Sequence, residues 1–106
     1  MTDSTTPKAY LTIARISGDP DQLLDGYARS AAVMAGVGRD HGLILHAAAR
    51  ADDGVVIVNL WPSKDGSEAA ARDPRRLDTI ADLGLTPDRF HREHHEVVNL
   101  DLFRQV

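Results

Sequence analysis

Five histidines, and a few polar residues set into apolar runs, are the side chains of this 106-residue chain best suited to chemistry. In Asp88-Arg89-Phe90-His91-Arg92-Glu93-His94-His95-Glu96, His91, Glu93 and His95 alternate. An extended backbone would put those three on one face and His94 with Glu96 on the other. Two imidazoles beside a carboxylate can hold Zn²⁺ or relay protons. Arg92 opposes a cation there, and so charged a segment is most often a solvated approach to a strand, so no metal is assigned. His46 lies among Leu43, Leu45, Ala47 and Ala48, either satisfied within a strand or turned into a cleft. Asn59, and Asn99 among Val97, Val98 and Leu100, interrupt apolar runs. A buried amide without a partner costs about 1–3 kcal/mol, so each must find a loop backbone or a ligand. Trp61 is either a core indole or an aromatic pocket wall.

These groups need a frame, and Gly54–Ser63 is its centre. Three valines and an isoleucine within Val55–Leu60 favour extended backbone, and the run is too short for a buried helix. Val55, Ile57, Asn59 and Trp61 point to one side, and Val56, Val58 and Leu60 to the other. A strand apolar on both sides must be covered twice. Lys8–Ser17 alternates as a first strand, with Tyr10, Thr12, Ala14 and Ile16 together on one face. Asp19-Pro20 caps and starts a helix whose stripe is Leu23, Leu24, Tyr27, Ala31 and Met34, ended by Gly36 and Gly38. His41–Ala51 is a second strand, joined through Asp52-Asp53-Gly54 to the central one. Ser63 caps a helix to about Arg72. Asp73-Pro74 starts another, with Leu77, Ile80, Leu83 and Leu85 inward. His94–Phe103 is the last strand.

The order β-α-β-β-α(α)-β predicts an α+β, ferredoxin-like βαββαβ fold, with a four-stranded antiparallel sheet and helices on one face. The bare face predicts a homodimer formed sheet to sheet. Residues 1–7 form a polar, disordered lead, and residues 8–106 form one domain.

Composition narrows the function classes. A net charge of −4 and a pI near 5.6 argue against a nucleic-acid surface. Without cysteine there is no disulfide, iron–sulfur cluster or thiol nucleophile. No signal peptide and no apolar run of about 20 residues is evident, so a cytoplasmic protein away from membranes is expected.

The run Asp53-Gly54-Val55-Val56-Ile57-Val58-Asn59-Leu60-Trp61-Pro62-Ser63-Lys64, the helix pair after it and Glu96-Val97-Val98-Asn99-Leu100 resemble the dimeric α+β barrel superfamily. Within it they resemble small proteins similar to antibiotic-biosynthesis monooxygenases. The resemblance spans Tyr10 to Phe103 and implies a ligand held between sheet and helices. It also implies two functions: a cofactor-independent monooxygenase of an aromatic or quinol-type substrate, or a non-catalytic dimeric ligand-binding or interaction protein. In the first, Asn59, Trp61 and one of His46 or His95 carry the chemistry, with Tyr10, Thr12 and Asn99 lining the ligand. No cofactor is implied. Haem-degrading relatives carry a distal asparagine in the first strand and an iron-ligating histidine in the second helical region. Here the first strand offers Tyr10 and Thr12, and Lys64–Leu85 contains no histidine.

Overall fold

The structure is a computed structural model that describes residues 8–104, so the predicted lead over residues 1–7 lies outside the described residues. Strand β1 (Tyr10–Ser17) is followed by helix α1 (Pro20–Asp40), strands β2 (Leu45–Ala51) and β3 (Gly54–Trp61), helices α2 (Lys64–Ala71) and α3 (Pro74–Asp82), a short 3₁₀ turn at Pro87–Arg89, and strand β4 (Phe90–Glu96). The sheet order is β2-β3-β1-β4 with every neighbour antiparallel, which is the expected ferredoxin-like arrangement. The valine-rich β3 and alternating β1 occupy the two central positions. The alanine-rich β2 and the charged β4 take the edges, where a strand pairs on one side only.

Helix α1 runs four residues past Gly36, so neither Gly36 nor Gly38 stops it. A mid-helix glycine costs only about 1 kcal/mol against alanine, which the packing of a long helix can outweigh. The stop comes at Gly42, in the left-handed region at φ +80°. There the Leu43 N–H donates to the Gly38 carbonyl at 2.9 Å and the Gly42 N–H to the Arg39 carbonyl at 3.3 Å, the paired bonds of a Schellman motif. Gly38 has a separate use, since a Cβ there would stand 2.8 Å from Leu43 Cδ2. Consequently β2 starts at Leu45 and not at His41.

The last strand also lies elsewhere than expected. Phe90–Glu96 pairs with Ile16–Tyr10, and the apolar residues after it leave the sheet, Val98, Leu102 and Phe103 all being exposed. The supposed solvated approach is the strand itself. On α3, Leu77 faces solvent, whereas Ile80 and Leu83 face the sheet.

Junctions between the helices are capped as their residue types require. Ser63 Oγ accepts from the Gly66 N–H at 3.1 Å, and Asp73 Oδ1 accepts from the Arg75 N–H at 2.9 Å. Asp73 is buried, and its Oδ2 meets Arg75 at 2.8 Å and His41 Nε2 at 3.0 Å. Arg75 first, and His41 second, hold the Asp73 carboxyl well below the usual carboxylate range. A carboxylate with a depressed folded value adds stability above its unfolded value near 4, and that stability is lost as pH falls below it. Asp73→Asn should therefore melt several degrees lower than the parent at pH 7 and lose less on acidification from pH 5 to 3. Parallel melting curves for both proteins at pH 7 and pH 3 would expose the idea if the two fell in step.

Candidate functional site

Inward faces of the sheet and the three helices line an open-mouthed cavity of about 520 Å³, within the range of small-molecule sites. Its walls are mostly aliphatic. Val55, Ile57 and Trp61 come from β3, Ala14 and Ile16 from β1, Leu23, Ala31 and Met34 from α1, and Ile80 and Leu83 from α3. One end is packed shut by Val37, Trp61 and Ala70, against which Tyr10 and Leu43 lie.

Across this apolar space runs one polar rung. The register sets His46 opposite Asn59, Asn59 opposite Thr12, and Thr12 opposite His94, one residue from each strand, and all four line the cavity. Tyr27, on the inward stripe of α1, reaches down to it. The Tyr27 hydroxyl lies 2.7 Å from His46 Nε2, and His46 Nδ1 lies 2.6 Å from Asn59 Oδ1. One tautomer satisfies both contacts: with its proton on Nδ1, His46 donates to the Asn59 carbonyl and accepts from the Tyr27 hydroxyl. Asn59 then keeps its two N–H donors for the cavity, with no protein partner among the described residues. Beside this chain, the Trp61 Nε1–H donates to Thr12 Oγ1 at 3.2 Å, so the indole is core on one side and pocket wall on the other.

Of the residues singled out in the sequence, Asn59, Trp61, His46 and Thr12 come together. Tyr10 stands at the closed end, where its ring stacks on His94 with centroids 6.0 Å apart. His95 does not join them. It shares the outer face with His91 and Glu93, bonded to Glu93 at 3.2 Å, and its neighbour His94 points inward instead. Asn99 lies beyond β4, bonded to Asp101 at 2.8 Å and outside the cavity lining. Among the described residues, no three His, Asp or Glu side chains are grouped so as to hold a metal ion.

Tyr27, His94, Arg76 and Arg92 are among the polar cavity residues that the sequence reading did not assign to the site. Tyr27 passed for core because its spacing fits the stripe of α1. For the arginines a signal existed. Both are cations at inward positions, Arg76 on the period of α3 and Arg92 on that of β4. Burial, and then the charge of Arg92, push Arg76 down to about 10, and burial lowers Arg92 as well.

No protein-family model matches the chain, and no curated protein does. Solved structures do. SnoaB, a cofactor-independent oxygenase from Streptomyces nogalater, is 21% identical over 92% of this chain and 99% of its own, with a TM-score of 0.63. Rv0793 from Mycobacterium tuberculosis is 17% identical over 91% and 99%, with a TM-score of 0.66. A dimeric ferredoxin-like protein of unknown function from Jannaschia is 13% identical over 84% and 99%, with a TM-score of 0.68. Identities this low carry the fold alone: the chain has a ferredoxin-like fold.

Proposed function

We propose that the protein is a cofactor-independent oxygenase of a hydroxyaromatic or quinol-type substrate bound between sheet and helices. One observation carries the reading: a Tyr27–His46–Asn59 hydrogen-bonded chain ends in free amide donors within an otherwise apolar cavity. The fold shared with SnoaB, itself described as a cofactor-independent oxygenase, supports it.

Each element then has a task. The substrate hydroxyl gives its proton to the Tyr27 oxygen as Tyr27 passes its own to His46 Nε2, and His46 becomes a cation held against the Asn59 carbonyl. Asn59 N–H groups stabilise the phenolate where its charge develops. The phenolate is electron-rich enough to reduce O₂ directly. Addition of O₂ at a hydrogen-bearing ring carbon ortho or para to the hydroxyl, and loss of water, convert a phenol to a quinone: one oxygen atom stays on the ring, and the other leaves as water with the hydroxyl and ring hydrogens. Aliphatic walls keep bulk water from the peroxide formed on the way. Oxygen uptake with a panel of naphthols and hydroquinones tests this, with uptake above the uncatalysed rate as the expected result.

A second reading, a ligand-binding module without catalysis, draws on one fact. The Tyr27 hydroxyl, the His46 ring and the Asn59 carbonyl, and likewise Thr12 and Trp61, are already paired without a ligand. Ligands that raise the melting temperature with no oxygen consumed would select it.

The assembly is a homodimer through the outer sheet face, where Leu11, Ile13, Leu45, Ala47, Val56 and Val58 form an apolar surface without helices. The Jannaschia protein, which shares the fold, is described as dimeric. Val58 is central on that face, between Ile13 and Ala47. Val58→Glu would bury a charge at the contact and should turn a dimer into a monomer in sedimentation velocity at micromolar concentration. A parent protein that already sediments as a folded monomer would end this assignment. No helix of the described residues is long and apolar enough to cross a membrane.

A further inference from the structure

Three arginines line the cavity, Arg39, Arg76 and Arg92, and the last two, on the inward faces of α3 and β4, have no task in the chemistry above. On α3, Arg76, Thr79, Ile80 and Leu83 recur at i, i+3, i+4 and i+7 and all line the cavity, so a cation opens the inward stripe of this helix. On β4, Arg92 sits between the inward Phe90 and His94. Four of the other arginines are met by carboxylates: Arg15 by Glu93, Arg29 by Asp25, Arg50 by Asp21, and Arg75 by Asp73 and Asp40. Among the described residues no carboxylate meets Arg76 or Arg92. Arg76 donates to the Ala71 carbonyl at 3.1 Å, and Arg92 lies over the Phe90 ring, 5.1 Å from its centroid. Neither contact neutralises a charge. Two like charges beside one apolar space repel one another, and partial burial costs Arg76 some of its hydration; an anion relieves both costs.

We propose that Arg76 and Arg92 form an anion subsite, and that the aromatic ligand of the cavity carries a carboxylate seated between them. This rests on the reading of the cavity as an aromatic site and adds the charge class of its ligand. A guanidinium fork matches the planar carboxylate. Arg92 faces Ala14, one inward position along β1 from the Thr12–His94 pair, and Asn59 stands two strands away, so their main chains are about 7 Å apart along the strands and about 10 Å across them, a gap that the long guanidinium side chain shortens. A fused two-ring hydroxy acid spans that interval, with its hydroxyl at Asn59 and Tyr27 and its carboxylate at the arginines.

Calorimetric titration of the full chain with 6-hydroxy-2-naphthoate and, separately, 2-naphthol tests the subsite without relying on turnover. The naphthoate should bind about tenfold more tightly, a preference that added salt reduces. Arg92→Gln and Arg76→Gln should each erode the preference by weakening naphthoate binding. Unlike Arg76, whose side chain bonds the Ala71 carbonyl, Arg92 has its side chain over the Phe90 ring, so its variant keeps the test alive if the loss of the Arg76–Ala71 bond unfolds the other. Equal affinity for the two ligands, or a preference that survives Arg92→Gln, would overturn the anion subsite and leave the aromatic cavity standing. If neither ligand binds at millimolar concentration, both readings fall together.

Discussion

Gly54→Ala should cost the protein about 3 kcal/mol or more and lower its melting temperature by about 12 °C or more. A Cβ at this position would stand 1.9 Å from the Ile16 carbonyl oxygen and 3.0 Å from its carbon, both backbone atoms that cannot rotate away. Gly54 pairs with Ser17 on one side and Ala51 on the other, and the Gly18 N–H donates to the Asp53 carbonyl at 3.0 Å just beside it. Relief would have to part β3 from β1 at the centre of the sheet. Gly84→Ala supplies the comparison. Its φ of +72° disfavours a side chain by about 1–2 kcal/mol, yet nothing lies within 4 Å of the new methyl. The two variants therefore separate steric exclusion from backbone strain, and exclusion should win. Denaturation curves that ranked them the other way would mean that the β1–β3 register is misplaced.

The second large effect is chemical. Asn59→Ala should lower the rate of oxygen-dependent turnover by about a hundredfold, the usual scale for loss of one donor to a developing oxyanion. It also releases the His46 Nδ1–H from its acceptor, which frees the ring to change tautomer. Tyr27→Phe keeps the ring and deletes only the hydroxyl that meets His46 at 2.7 Å, so it should slow turnover with little change in folding. Steady-state rates beside melting curves make the comparison. Asn59→Ala turning over at the parental rate, with its fold intact, would remove the rung from the chemistry.

Local signals announced most of the fold. The Asp19-Pro20 and Asp73-Pro74 starts, the Ser63 cap and the Asp52–Asp53 turn each state their role in two or three residues, and all stand where expected. What failed depended on partners distant in sequence. Residues Phe90–Glu96 look too charged for a strand, and Val97–Leu100 look apolar enough for one. The choice belongs to β1, whose Tyr10–Ile16 stretch supplies the pairing edge and leaves the later residues outside. The selection of His95 over His94 failed for the same reason. Alternation showed that the two histidines face opposite ways, but only the pairing of Thr12 with His94 says which way is inward. The Gly36 and Gly38 error weighed local propensity without the helix packing that opposes it. Asn59, Trp61 and Thr12 were legible because β1 and β3 are central strands, whose inward period is written in their apolar neighbours.

His46, Asn59, Thr12 and His94 each belong to a different strand and are aligned by main-chain pairing alone. Residues inserted within Pro87–Arg89, which lie outside the paired strands, should leave these four groups in place, so that tip of the molecule is free to diversify in length and charge while the interior chemistry stays constant.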